Sequence, residues 1–309
     1  MAAIDVVIPT HDRPASLARL LEDLTEQSRS PGRIVVVDDS APSEPWEQRY
    51  PNLPLHVIRP SQRVFVSSAK NLGWRACGAP LVAFVDDDNR LPLDLLDVLA
   101  SDLEGHSTWG AVMPGVLYAS RPDLVWVYAA PFANDHRWSY RLLGRNAPRD
   151  PQLEQRILPT DALPNLSVIR REVLEAVGGF DERLPVNSSG DLCQRIKQND
   201  WEVWADTSVL TYHDVEAPGQ PMYWASHTLH DADRLRWEIA DWLRFQRRWN
   251  PSRLFGPRAG YHSLHFLASH FVAVGGLAPT RLISHAAAAV GGFRQGLGPP
   301  SEPRNAKAS

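Results

Sequence analysis

The chain has 309 residues, 43% apolar and 22% charged, with a formal net charge of −4. This is the composition of a globular protein, and its acidic balance argues against a nucleic-acid binder, which would carry a basic surface. The length accommodates one large domain, or one of about 200 residues with an appendage.

Residues 4–9 form a short apolar run ending at Pro9, which suits a buried strand. No basic n-region or cleavage site precedes it, so a signal peptide is not expected. Asp12-Arg13-Pro14 reads as a helix start with a capping acid and an early proline, and Leu17, Leu20, Leu21 and Leu24 follow at helical spacing. Residues 33–37 are a second strand, ending at Asp38-Asp39-Ser40, and residues 55–58 a third. Residues 67–76 read as a helix, and residues 81–85 as a fourth strand ending at Asp86-Asp87-Asp88. Further strands are predicted over 110–118, 124–130, 166–169, 202–205 and 209–212, the last running into His213. Residues 133–155 are rich in Arg, Asn, Asp and Pro and read as a loop, and 191–199 as a helix. Composition shifts at Pro218-Gly219-Gln220-Pro221. Helical patterns then cover 223–249, 260–274 and 280–293, before a polar tail over 296–309. The longest apolar stretch, 264–278, is too short to cross a bilayer.

Unbroken β-branched strands alternating with helices imply an α/β fold with a mostly parallel sheet covered on both faces. Ligands of such sheets bind outside the carboxyl ends of the strands. Pro9-Thr10, Asp38-Asp39 and Asp86-Asp87-Asp88 all lie at such ends, so three polar segments from separate parts of the chain should converge. Cys77 and Cys193, the two cysteines, form no paired motif and are expected as free thiols in a reducing cytoplasm. Most of the eleven tryptophans are read as core, with one or two left as stacking platforms for a sugar ring or an aromatic acceptor.

The pieces Val7-Ile8-Pro9-Thr10, Val36-Val37-Asp38-Asp39-Ser40, Ser68-Ala69-Lys70-Asn71-Leu72-Gly73, Ala83-Phe84-Val85-Asp86-Asp87-Asp88 and Gly178-Gly179-Phe180-Asp181-Glu182 follow one another in order, with His213 after a late strand. This ordered set resembles the family-2 inverting glycosyltransferases of the GT-A fold, from Val6 to about His213. The resemblance implies a GT-A catalytic domain over 1–218; the helical patterns and the polar composition beyond it give a helical region over 219–295 and a tail over 296–309 expected to be disordered. It implies transfer of a sugar from a nucleotide-diphospho-sugar, UDP first with GDP and dTDP open, by direct displacement with inversion. A diphosphate leaving group gains negative charge as the glycosidic bond breaks, and a divalent cation held by hard carboxylate oxygens stabilises it. The implied cofactor is therefore Mn²⁺ or Mg²⁺. Carried over residue by residue, Pro9 and Thr10 lie beside the nucleoside and Asp39 binds the base. Lys70, where the family usually has Arg, contacts the base or the diphosphate. Asp86 contacts the ribose, Asp87 belongs to the donor site, and Asp88 and His213 hold the metal.

Read alone, the acidic triplet is equally a helix cap and a solvated turn, and Asp38-Asp39-Ser40 only a turn. The ordered set favours the metal reading. One place departs from the pattern. Glu-Asp-x-Asp-Leu is usual where this chain has Ser188-Ser189-Gly190-Asp191-Leu192, which puts Ser189 at the general-base position. General base catalysis contributes about 10²–10⁴-fold, and serine cannot supply it. Asp191 is expected to take the role. Alternatives are an acceptor that needs little deprotonation, a shifted alignment that brings in Asp181 or Glu182, or a protein that binds a nucleotide sugar without turnover. A sugar nucleotidyltransferase is a further alternative, but His11-Asp12-Arg13-Pro14 has none of the glycines of a phosphate loop. The acceptor stays open among small molecules, glycans and lipid-linked compounds. The helical region is expected to cover the acceptor site, to pair two copies, or to lie on the inner face of a membrane. Arg244, Arg247 and Arg248 beside Trp242 and Trp249 suit the last use, and a solvated face equally.

Overall fold

The computed structural model describes residues 1–132, 141–215, 232–249 and 279–298. Its first unit is built on a ten-stranded sheet in the order β3-β2-β1-β4-β9-β6-β10-β5, with β7 beside β6 and β8 beside β10. β1 (Ile4–Thr10) lies between β2 (Arg33–Asp38) and β4 (Leu81–Val85), and β3 (Leu55–Ile58) flanks β2, all parallel. Successive residues of β1 point to opposite faces, and both faces are covered, which is why the strand is apolar throughout. Val6 and Ile8 pack with Leu17, Leu20 and Leu21 of α1 (Pro14–Thr25) and Leu95 and Leu99 of α4 (Leu95–Gly105). Val7 packs on the other side with Ala69 and Trp74 of α3 (Val66–Arg75).

The second half of the sheet is mixed. β9 (Leu166–Arg170) runs antiparallel between β4 and β6 (Trp109–Tyr118), and β10 (Glu202–His213) runs parallel to β6. β7 (Val125–Val127) pairs with β6, and β8 (Ile157–Pro159) with β10. The strands expected at 202–205 and 209–212 are one strand with a register shift between Asp206 and Leu210. There Asp206 turns back and accepts hydrogen bonds from the backbone N–H and the hydroxyl of Ser208. β5 (Asn89–Arg90), directly after the acidic triplet, pairs antiparallel with the end of β10 and sets Asn89 opposite His213. Short helices α2 (Trp46–Arg49) and α5 (Arg171–Val177), with α6 (Ser189–Gln198), complete this unit. Both cysteines are buried and unpaired, and burial pushes the Cys77 thiol up to about 12, which leaves it unreactive.

The helix start at Asp12-Arg13-Pro14 forms differently from expectation. Arg13, not Asp12, is the N-cap of α1, and it makes no side-chain cap. The chain leaves β1 through a sharp turn in which Asp12 adopts a φ of 52°, a conformation that Asp tolerates, and the Asp12 N–H donates to Ser40 Oγ. The Arg13 side chain is thereby released toward the strand ends.

A second compact unit contains Asp181–Ser188, α7 (Ala232–Trp249) and α8 (Pro279–Leu297). Leu235, Ile239 and Leu243 of α7 pack against Ala288 and Ala289 of α8. Gly292 and Gly296 allow the close approach, since a Cβ on either would lie 2.6 Å from Arg236 O or 2.7 Å from Leu243 Cβ. Asp241 accepts from the N–H groups of Val186 and Asn187, Arg244 donates to Arg183 O, and Arg248 pairs with Asp181 at 3.1 Å. Arg247 reaches Leu297 O and Gly298 O. The three arginines expected on a solvated or membrane face are thus each engaged within this unit. The helix expected over 260–274 and the tail beyond 298 lie outside the described residues, as does the first part of the 133–155 loop. No described helix is long and apolar enough to cross a membrane.

One carboxylate pair bears on stability. Burial, and then the charge of Asp206, push Asp102 on α4 up to about 7. The fold therefore holds a proton that the unfolded chain releases above its ordinary carboxylate range. Stability from this source is present at low pH and is lost as pH rises toward 7. Asp102→Asn is expected to raise Tm by several degrees at pH 8, at about 2–4 °C per kcal/mol. The gain should shrink as pH falls toward 4, as thermal melts followed by circular dichroism would report.

Candidate active site

The parallel strands deliver their polar ends to one place, because neighbouring strands in register finish side by side. Thr10 pairs with Asp38 across β1 and β2. Asp38 turns inward and organises its own loop, accepting from Ser40 N–H, Ser43 Oγ and Trp46 Nε1. Asp39 is held on both sides of its carboxylate. One carboxylate oxygen accepts from Val64 N–H at 2.6 Å, the other lies 2.7 Å from His11 Nδ1, and its own N–H donates to Thr10 O.

The triplet after β4 is held from four directions. Asp86 donates its N–H to Asn165 O at 3.1 Å, and its carboxylate lies 3.1 Å from Lys70 Nζ. Thr10 Oγ1 donates to Asp87 at 2.7 Å. Arg13 Nη1 bridges Asp87 at 3.1 Å and Asp88 at 2.6 Å. His213 Nε2 faces the other oxygen of Asp88 at 3.2 Å, and Asp88 O accepts from Asp214 N–H at 2.7 Å. Asp87 and Asp88 are both buried. Burial, and then the neighbouring Asp88 charge, push Asp87 up to about 6. Burial also raises Asp88, but His213 and Arg13 together outweigh it and hold this carboxyl well below the usual range.

The donor set fits a hard divalent cation. Asp88 Oδ1 is buried without a well-directed hydrogen bond and faces an imidazole nitrogen. Among the described residues no three His, Cys, Asp or Glu side chains converge on one point. Mg²⁺-type sites commonly take one or two carboxylates and complete their shell with substrate phosphates and water, so Asp88 with His213 would leave most of a shell to the nucleotide and water.

The glycine-rich segment and α3 lock together. Gly178 caps α5 with a φ of 75°, and Gly179 follows at 74°. Asn71 then grips Phe180, accepting from its N–H at 2.9 Å and donating to its O at 2.8 Å. The Phe180 ring meets Phe84 edge-on at 5.0 Å and lies under Lys70. Gly73 presses on β1, since a Cβ there would come within 2.2 Å of Val7. The Lys70-Asn71-Leu72-Gly73 motif thus serves two ends: Lys70 faces Asp86, while Asn71 and Gly73 fix the helix that carries it.

Asp191 lies in the first turn of α6 with 0% exposure, and Arg195 Nε donates to it at 2.8 Å. Asp181 is engaged by Arg183 and Arg248. Sequence reasoning passed over Arg13, read only as part of a helix start, and Asn165, which nothing in its short loop advertises. Among the described tryptophans Trp46, Trp74 and Trp109 are buried in the core, and Trp126 stands edge-on to the His213 ring at 5.0 Å.

The half-parallel, half-mixed sheet flanked by helices is the fold of GT-A glycosyltransferases. The chain belongs to glycosyl transferase family 2, whose sequence description matches residues 5–178. It is 27% identical over 217 residues to the pre-mycofactocin glycosyltransferase of Mycobacterium tuberculosis, covering 68% of this chain and 42% of that protein. It is 29% identical over 102 residues to the uncharacterized glycosyltransferase YwdF of Bacillus subtilis, covering 33% of this chain and 38% of that one. The chain therefore spans less than half the length of these relatives. Among solved structures, GalNAc-T7 with UDP, GalNAc and Mn²⁺ superposes with a TM-score of 0.57 at 15% identity, over 84% of this chain and 52% of that one. The mannosyltransferase PcManGT of Pyrobaculum calidifontis with GDP-Man and Mn²⁺ gives 0.54 at 17% identity, over 96% and 87%. At these identities the likeness shows the fold.

Proposed function

We propose that this chain transfers a sugar from a nucleoside diphosphate donor, with UDP as the first carrier to test, by inverting displacement assisted by a divalent cation. The observation that carries the reading is the buried Asp87–Asp88 pair after β4, met by Thr10, Arg13 and His213. Asp39, fixed by Val64 N–H and His11, is set to accept from the base. Pro9 and Thr10 flank the nucleoside. Asp86 faces the ribose with Lys70 beside it, and Asp88 and His213 hold the cation. When bound, Mn²⁺ or Mg²⁺ supplies Lewis-acid stabilisation of the departing diphosphate. Lys70 and Arg13 add positive charge on the same side.

The acceptor side is read differently from the donor side. Asp191 is sealed against Arg195, which supports a positioning role for it at the start of α6 rather than contact with the acceptor. With Ser189 in the usual base position, the reading that follows is an acceptor that needs little help from a base, such as a thiol, an acidic phenol or an amine. The second reading, a nucleotide-sugar-binding protein without turnover, rests on the same two residues. Family membership sets aside the nucleotidyltransferase.

Incubating the protein with Mn²⁺ and a panel of UDP-, GDP- and dTDP-sugars, with and without thiol, phenol and amine acceptors, separates the two. Nucleotide release is the expected result. Tight UDP binding with no release from any donor would sink the enzyme reading and leave the binding protein.

A further inference from the structure

Arg145 differs from the other charged groups around the site. No carboxylate among the described residues pairs with it. Its Cζ lies 4.4 Å from the centre of the Trp126 ring and 5.8 Å from that of Tyr118, so the guanidinium is stacked rather than salt-bridged. Nη1 makes one long hydrogen bond to Trp126 O at 3.4 Å, and Nε is buried without any. The platform is itself fixed: Tyr118 donates to Asn146 Oδ1 at 2.6 Å, and Trp126 follows the first residue of β7.

The location gives this arrangement meaning. The edge of Trp126 meets the ring of His213, and Tyr118 is the register partner of His213 across β6 and β10. Arg145 therefore stands one indole away from the residue that faces Asp88, at the carboxyl end of β6. A partly buried cation with no counter-ion is costly unless something supplies the charge. The stacking on Trp126 offsets part of this cost and leaves the outer edge of the guanidinium, Nη2 and the second N–H of Nη1, to form the fork. A guanidinium fork matches two oxygens of a phosphoryl group.

We propose that Arg145, held on Trp126 and Tyr118, binds a phosphoryl group beyond His213. Two sources share that chemistry: the donor diphosphate and a phosphate carried by the acceptor. Only the first rests on the proposed donor function. The test uses calorimetry on the wild-type protein, Arg145→Gln and Arg145→Lys. Three titrations are run: UDP with Mn²⁺, uridine, and inorganic phosphate into protein saturated with UDP and Mn²⁺.

If the donor diphosphate is the ligand, Arg145→Gln weakens UDP by about tenfold, the scale of one charge-assisted contact, and leaves uridine unchanged. If the acceptor phosphate is the ligand, UDP is unchanged and the phosphate titration of the UDP-loaded protein is lost. Arg145→Lys keeps the charge without the fork and should fall between wild type and Arg145→Gln. UDP and phosphate affinities both within about twofold of wild type, with the fold intact, would overturn the proposal and leave Arg145 a packing residue. Should Arg145→Gln fail to fold, the same comparison is made with Arg145→Lys, and unchanged affinities there overturn it. Should wild type bind no UDP, the donor function fails separately, and phosphate titrated into the protein alone still decides the role of Arg145.

Discussion

Asp88→Asn is expected to lower donor turnover by about 10²–10³-fold, the scale of removing one preorganised stabiliser of developing charge, while the fold stays intact. Asparagine keeps the shape of the side chain and loses the anion. The Asp88 carboxylate is buried between Arg13 and His213, and both contacts depend on its charge. The change also removes the like charge that helps push Asp87 up, so Asp87 should ionise more readily and retain Arg13. A Tm close to wild type is therefore expected alongside the lost activity. Steady-state nucleotide release and calorimetry of UDP with Mn²⁺, run on the same preparation, check both halves. Undiminished turnover would mean that the chemistry takes place elsewhere.

The largest expected stability effect comes from Gly179→Ala, which should cost about 2–5 kcal/mol. A left-handed backbone costs an L-residue about 1–2 kcal/mol, and overpacking adds about 1–3 kcal/mol. The Gly179 φ is 74°, and a Cβ there would lie 2.5 Å from Asn71 Oδ1 and 2.6 Å from Trp74 Nε1. Asn71 is the residue that grips Phe180, so the clash falls on the clamp between α3 and the glycine turn. Gly178→Ala is the matched control. Its φ is nearly the same at 75°, but nothing lies within 4 Å of the added carbon. It should show only the conformational part, about 1–2 kcal/mol. Urea denaturation of the two variants would separate the terms, and equal losses would show that packing at Gly179 contributes nothing.

The convergence of the polar strand ends was legible because it is written locally. β-branched runs declare β1, β2 and β4, and the polar residues that end them must gather where parallel strands finish together. The second half of the sheet was not. β9 enters between β4 and β6, and the two-residue β5 brings the triplet beside His213, through long-range pairings that no local periodicity encodes. The bulge at Asp206 hid the continuity of β10, because a break in alternation looks like a break in the strand. Arg13 was missed because its direction depends on the left-handed turn at Asp12. Asp191 kept the sequence position of an acid in the motif, but spacing alone cannot tell an open carboxylate from one sealed by the arginine one turn along its helix.

Arg13 has one more consequence under the proposed function. Its guanidinium offsets one of the two carboxylate charges of Asp87 and Asp88, so the pair offers a bare dication a reduced attraction and a resident rival. A cation riding on a diphosphate arrives with its own anion, and that anion gives Arg13 somewhere to go when Asp88 is taken. On this balance of charge the proposed cation is expected to bind more tightly together with the nucleotide than alone.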